Sequence, residues 1–196
     1  ETKKKNKPAE PYSEQATEYL RQALQSNDVR LLLERDHKDH YGRWLGHLVI
    51  GNQLVSEGLI KSGLAFHIAI PPNLKFSYCL KQAEVSARNL GQGLWKDNPT
   101  RKATSLKNKE AGFRLLEGKL TAAKQIKSGA ILEVDDLLAV KMNKTLLDKL
   151  GGITKMRQLQ GKVVQIRGWI RPKSAHAPAH YQPWFMKLTD PSHIRF

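Results

Sequence analysis

The stretch Asp39-His40-Tyr41-Gly42-Arg43-Trp44-Leu45-Gly46-His47 decides how the first half of the chain folds. A glycine follows a basic and an aromatic residue, and an arginine then opens a run rich in apolar residues. This order is typical of a turn that leads into a β-strand. We expect it to bring the Arg43 guanidinium and the Tyr41 phenol to one edge of a sheet, where the two groups can hold a phosphate.

The residues on both sides of this turn predict a small domain of strands and helices. Residues 29–35 are rich in leucine and valine and too short for a typical helix, so we predict a strand there. This strand should form a hairpin with a second strand at residues 42–50. Apolar residues at helical spacing predict a helix that begins near Pro11, with Ser13 as its N-cap. Two further helices are predicted at residues 54–62 and 76–90. One further strand is predicted at residues 64–70.

The second half of the chain has a different order of elements. Residues 98–110 are polar and basic and predict a linker between a domain at residues 1–97 and a domain at residues 111–196. Strands are predicted at residues 113–126, 130–134, 137–142, 162–171 and 183–188. A helix is predicted at residues 145–160, with Thr145 as a candidate cap and an interruption at Gly151-Gly152. Three strands, a helix and two strands are the order of a five-stranded OB-type barrel, with a mixed α+β sandwich as the alternative. The predicted fold class is mainly β with α, that is α+β.

The charge of the chain indicates a polyanionic partner. The formal net charge is +15, and residues 98–196 carry +12 of it, with 19 Lys and Arg against 7 Asp and Glu. Clustered cations gain free energy by releasing counterions from a phosphate backbone, so DNA or RNA is the expected partner. An acidic protein, an anionic surface or a basic protein without such a partner are the alternatives, because net charge does not distinguish them.

Several other classes of protein are disfavoured by the composition. The single cysteine, Cys79, cannot form an intrachain disulfide. No segment approaches the ~18 apolar residues of a membrane helix, so we predict no membrane segment, and no obligate protein partner is inferred. The histidine pairs His37/His40 and His176/His180 lack a cysteine or carboxylate at metal-ligand spacing, which argues against a zinc site.

Residues 1–95 resemble the staphylococcal nuclease, or thermonuclease, family. Five segments occur in the family's order and spacing: Glu1-Thr2-Lys3 followed by a lysine-rich loop, the helix start at Tyr12–Ala16, His40-Tyr41-Gly42-Arg43, Val55–Leu59 with Gly63-Leu64-Ala65, and Glu84–Trp95. The resemblance implies an OB-type five-stranded barrel with packed helices, whose first strands we expect before Glu1. Residues 111–196 resemble a C-terminal extension found on some bacterial members.

The resemblance implies a calcium-dependent endonuclease that hydrolyses DNA and RNA with low sequence specificity. The residue that matches Glu1 acts on the attacking water and belongs to the calcium site, directly or through a water molecule. Arg43 matches a catalytic phosphate-binding arginine, and the substrate-binding residues would be Tyr41, His40, Lys3, Lys4 and Lys5. The remaining metal-ligand aspartates and a second arginine are expected before Glu1. A location outside the cell or in the cell envelope is also implied.

One part of the sequence departs from the family pattern. Ala69, Ile70 and Pro71 stand where the family carries base-stacking tyrosines. Phe66, Phe76 or Tyr78 could replace these rings, although core packing also explains each of them. The alternative function is therefore a nuclease-like module that binds nucleic acid without hydrolysing it.

Overall fold

The computed structural model describes residues 9–25, 28–108, 110–176, 178 and 180–196. The chain divides into two compact units, with the boundary between Pro99 and Thr100. Each unit combines strands with helices, so the predicted α+β class is confirmed. No helix in the described part of the chain is both long and apolar enough to cross a membrane.

The first unit contains a three-stranded sheet and three α-helices. In chain order the elements are α1 (Ser13–Ala23), β1 (Val29–Lys38), β2 (Trp44–Ile50), β3 (Gln53–Leu54), α2 (Val55–Lys61) and α3 (Ser77–Asn89). Strand β1 pairs antiparallel with β2, with Val29 opposite Ile50 and Leu33 opposite Gly46, which confirms the predicted hairpin. Helix α3 packs on α2 through buried Ile60 and Leu80.

Two local predictions in this unit are wrong. Ser13 is the first residue of α1, and Tyr12, in a left-handed conformation, is the N-cap. Residues 64–70 form no strand, because their polar groups bond elsewhere: the backbone N–H of His67 donates to the Glu84 carboxylate at 3.0 Å. The two prolines that follow cannot donate to a strand ladder.

The second unit is a closed five-stranded barrel with additional short strands. Its elements are β4 (Thr100–Lys102), β5 (Gly112–Ile126), β6 (Gly129–Val134), β7 (Leu138–Asn143), α4 (Lys144–Lys149), α5 (Gly152–Gln158), β8 (Val163–Pro172), β9 (Trp184–Lys187) and β10 (Ile194–Arg195). The strands follow the order β5-β6-β7-β9-β8, and β8 pairs with β5 to close the barrel. Strands β7 and β9 are parallel, and the other neighbours in this ring are antiparallel. The predicted OB-type barrel is confirmed in this unit.

The barrel core is formed by apolar side chains that alternate with outward residues along each strand. Leu116, Leu132, Val140 and Met186 are fully buried there, and Met156 of α5 packs into the same cluster. The predicted interruption of the helix is confirmed: α4 and α5 are separated by Leu150 and Gly151, and Gly152 is the first residue of α5. The predicted Thr145 cap is wrong. The N-cap of α4 is Asn143, whose side chain accepts from the backbone N–H of Leu146 at 2.8 Å.

Part of the predicted linker belongs to the second unit. Strand β4 runs parallel to β5, with Thr100 opposite Leu115, and Ala103 and Leu106 are buried in the barrel core. The register of β6 on β5 begins only at Leu120, so the edge of the first half of β5 remains open for β4. The sequence predicts only a linker here because Ala103 and Leu106 are isolated apolar residues, which give no periodic signal.

Candidate active site

Residues 39–43 form the turn between β1 and β2. The backbone N–H of Asp39 donates to the Arg43 carbonyl at 3.0 Å, and the N–H of Gly42 donates to the Asp39 carbonyl at 3.0 Å. Gly42 has φ 78°, a left-handed conformation that strains any residue with a Cβ. An added Cβ would meet no atom within 4 Å, so the backbone conformation and not the space requires glycine.

The Asp39 carboxylate organises this turn. One of its oxygens, Oδ1, accepts from the backbone N–H groups of Tyr41 at 2.9 Å and Arg43 at 3.0 Å. The other, Oδ2, contacts Nε of Arg43 at 2.7 Å and a terminal guanidinium nitrogen at 2.6 Å. Desolvation raises the pKa of Asp39, but the bonds from the Arg43 side chain and from the two backbone N–H groups, with the charge of Arg43, hold that pKa below its usual value. Asp39 therefore stays ionised and fixes both the backbone and the arginine side chain.

The turn presents a cation, a phenol and an imidazole side by side. The Arg43 side chain is 73% exposed although Asp39 holds it, and its Cζ lies 5.2 Å from the centre of the Tyr41 ring. Tyr41 is 72% exposed, and its ring centre lies 3.7 Å from that of His40. Asp39 engages two of the five N–H donors that an arginine carries, which leaves three for another anion. The geometry suits the binding of a phosphate group.

Comparison with known proteins identifies the family to which the residues around this hairpin belong. A sequence model of the family described as "Staphylococcal nuclease homologue" matches residues 1–97. Through these residues the chain belongs to the staphylococcal nuclease family. The resemblance seen in five sequence segments is thereby confirmed.

The related proteins are longer than the stretch they share with this chain. The thermonuclease of Staphylococcus hyicus is 35% identical over 95 residues, which are 48% of this chain and 56% of that protein. The thermonuclease of Staphylococcus intermedius matches with the same identity and coverage. The SPbeta prophage-derived endonuclease YokF of Bacillus subtilis (strain 168) is 32% identical over 100 residues, which are 50% of this chain and 34% of that protein. The chain thus spans about half or less of the length of these relatives.

The other predicted site residues lie outside the part of the chain that the structure describes. These are Glu1, Lys3, Lys4 and Lys5. Within the described ranges, no group of three His, Cys, Asp or Glu side chains could hold a metal ion, and Asp39 is already engaged by Arg43. The described residues of the first unit, called the nuclease-like unit from here on, therefore do not form a calcium site by themselves. A calcium site at Glu1 remains a prediction.

Asp39 is a residue of the candidate site that is missing from the site residues predicted from the sequence. A signal for it exists, because an aspartate at the start of a turn commonly accepts from the backbone N–H two residues later. Here Asp39 accepts from the backbone N–H of Tyr41, and its second carboxylate oxygen accepts from the Arg43 side chain. The sequence alone could have supplied the first contact but not the second, which depends on the rotamers of both side chains.

A buried polar network lies beneath the same hairpin of the nuclease-like unit. Glu34 of β1 is 7% exposed, and its Oε1 lies 2.8 Å from Nε2 of His47 of β2. The same oxygen accepts from the backbone N–H of Lys75 at 3.2 Å, and the Lys75 ammonium donates to the Leu33 carbonyl at 2.8 Å. This network joins both strands to the segment before α3 and so supports the base of the turn.

The three candidate base-stacking rings occupy different surroundings. Phe66 packs edge-on against Trp95 at 5.4 Å between ring centres, and Phe76 packs against His47 at 4.9 Å. Tyr78 of α3 is 78% exposed. Core packing therefore accounts for Phe66 and Phe76, and Tyr78 is the candidate whose ring is accessible to a ligand.

Proposed function

We propose that this protein is a calcium-dependent endonuclease that hydrolyses phosphodiester bonds in DNA and RNA with low sequence specificity. The observation that carries the proposal is an exposed arginine, Arg43, held by Asp39 beside Tyr41 and His40 in a turn. Its support from relatives is that proteins named thermonuclease and endonuclease match the same half of the chain. The turn provides the phosphate-binding half of the proposed site.

In this proposal Arg43 stabilises the negative charge that develops on the phosphoryl oxygens of the substrate during hydrolysis. Arginine remains charged at any working pH, and its planar fork can donate to two phosphate oxygens at once. Because Asp39 already fixes the guanidinium, little reorganisation is needed when the charge develops. Tyr41 donates its hydroxyl to a neighbouring phosphate oxygen, and His40 adds a further donor.

The opposite half of the proposed site rests on the family resemblance. Glu1 orients or deprotonates the attacking water and takes part in binding calcium. Lys3, Lys4 and Lys5 bind the phosphate backbone of the substrate, and the net charge of +12 on residues 98–196 adds to that attraction. We also propose that the protein acts outside the cell or in the cell envelope, which fractionation of expressing cells would test.

The proposed activity is tested with the full-length protein on plasmid DNA and on RNA. Degradation of both in the presence of calcium, and none with a chelator, is the expected result. Cleavage that is unaffected by the chelator would contradict the calcium requirement. If binding is retained but no condition gives cleavage, the protein is instead a nuclease-like module that binds nucleic acid without hydrolysing it.

A further inference from the structure

One side of the barrel in the second unit carries exposed aromatic rings. Trp169 of β8 is 52% exposed, whereas its neighbour Ile170 is 2% exposed, because successive side chains on a strand point to opposite faces. Phe113 of β5 lies directly opposite Trp169, with 5.2 Å between the ring centres and an edge-to-face arrangement. Phe113 thus supports the Trp169 ring from the neighbouring strand, while half of the indole remains accessible.

Basic side chains continue this surface across the next two strands. Arg171 lies two residues after Trp169 on the same outward face, opposite Phe185 of β9, and its Cζ is 4.6 Å from the centre of the Phe185 ring. Lys187 follows on the outward face of β9, opposite Lys141 of β7. We call this surface the barrel band; its members are Phe113, Lys141, Trp169, Arg171, Phe185 and Lys187.

The cations of the barrel band are not neutralised within the part of the chain that the structure describes. Arg171, Lys187 and Lys141 form no ion pair with a carboxylate of the residues that the structure describes. Two half-buried carboxylates of this unit form ion pairs elsewhere, Glu110 with Arg101 and Arg114 and Glu133 with Lys124. The band therefore adds uncompensated positive charge to exposed rings in the half of the chain that carries +12.

We propose that the barrel band binds single-stranded nucleic acid, with a base stacked on Trp169 and the phosphates held by Arg171, Lys187 and Lys141. Every base has a π-face that can stack on an aromatic ring, so this mode of binding tolerates any sequence. The bases of a duplex are already stacked on each other, whereas those of a single strand can be splayed onto the protein. The proposal rests on the proposed function, because the strand held by the band is the substrate of the nuclease-like unit.

The test measures binding without cleavage, by fluorescence anisotropy of labelled oligothymidylate and oligouridylate with the full-length protein and a chelator. Trp169→Ala should weaken binding of both about 5- to 150-fold, the range that loss of one base–aromatic stack gives, and Trp169→Phe should retain most of the affinity. Val163→Ala is the matched control, because Val163 is exposed on the same face of β8. A duplex of the same length should bind more weakly than either single strand.

The phosphate contact is tested separately with Arg171→Ala. Loss of one phosphate contact should flatten the dependence of log affinity on log salt by about 0.7 for single strands. Arg157→Ala, an exposed arginine on α5, removes the same charge outside the band and should leave the slope unchanged. Thermal unfolding of each variant verifies that the barrel is intact.

These tests distinguish a failure of the barrel-band proposal from a failure of the proposed nuclease function. If Trp169→Ala and Val163→Ala bind alike, or if duplex binds as tightly as single strands, the barrel band is not the site, even when calcium-dependent cleavage is observed. If Trp169→Ala loses binding but the wild-type protein cleaves nothing, the band stands and the nuclease proposal fails. Anisotropy that does not change on addition of any oligonucleotide would overturn the band outright.

Discussion

Replacing Asp39 with asparagine would separate the two tasks of its carboxylate. Oδ1 accepts from two backbone N–H groups of the turn, and Oδ2 accepts from the Arg43 guanidinium. Asparagine has a single acceptor oxygen, and its amide group donates. If that oxygen keeps the backbone contacts, the amide faces the guanidinium with donor against donor. Asp39→Asn should therefore preserve the turn and release the Arg43 side chain.

The expected loss follows from the role of Asp39 as a positioning residue. A reacting group misplaced by about 1 Å can lower a rate ~100-fold, so we expect Asp39→Asn to reduce kcat by about 10- to 100-fold with a smaller change in KM. The pKa of Asp39 lies below its usual value, so the wild-type carboxylate holds Arg43 at every pH well above 3.8. The difference between wild type and variant should stay constant down to about pH 5 and shrink only in stronger acid, where the wild-type carboxylate is protonated.

The assay is initial-rate hydrolysis of single-stranded DNA with calcium, at several pH values. Asp36→Asn is the matched control, because Asp36 is an exposed residue of β1 close to the turn and its substitution changes the charge equally. Wild-type kcat in Asp39→Asn would refute the positioning role. An equal loss in both variants would assign the effect to local charge and not to the grip on Arg43.

Three further predictions concern the stability of the two units. Gly42→Ala should destabilise the first unit by about 1 kcal/mol and lower activity, because alanine is strained at φ 78°; a turn that accepts alanine without change in the unfolding midpoint would contradict this. Leu116→Ala removes a fully buried barrel side chain and should lower the free energy of unfolding by ~2–5 kcal/mol in urea titrations, and a loss below ~1 kcal/mol would argue against the packed core. Desolvation raises the pKa of Glu110, but bonds from Arg114 and Arg101 outweigh it and lower that pKa to about 2. Its contribution, at most about 3 kcal/mol, should be complete above pH ~4.5 and disappear as the pH falls toward 2, and Glu110→Gln should abolish that part of the pH dependence.

The parts of the fold that were predictable from the sequence depend on local patterns. The β1–β2 hairpin follows from two apolar runs joined by a turn with glycine, and the barrel order follows from regularly spaced strands around one helical segment. Strand β4 was not predictable, because its pairing with β5 is a parallel contact that becomes available only where β6 ends. Residues 64–70 have the apolar composition of a strand, but the bond from His67 to Glu84 takes the place of a ladder.

The same distinction applies to the candidate sites. His40, Tyr41 and Arg43 are brought together by one turn, so their proximity follows from sequence spacing alone. The grip of Asp39 on Arg43 depends on side-chain rotamers, which sequence does not specify. The barrel band depends on the register that places Phe113 opposite Trp169 and Arg171 opposite Phe185. These paired residues lie on different strands, 56 positions apart for Phe113 and Trp169 and 14 for Arg171 and Phe185, and such pairs carry no mutual signal in a single sequence.

The central claim, that Arg43 stabilises the charge developing on the phosphate, is tested most directly by the kcat of Arg43→Ala. The measurement compares the full-length variant with wild type and with Arg157→Ala on single-stranded DNA in calcium. We predict that Arg43→Ala lowers kcat by about 100- to 1,000-fold, as loss of one preorganised donor to a developing oxyanion does, while the unfolding midpoint and the Arg157→Ala rate stay unchanged. A decrease of less than about tenfold in a folded Arg43→Ala protein would contradict the account.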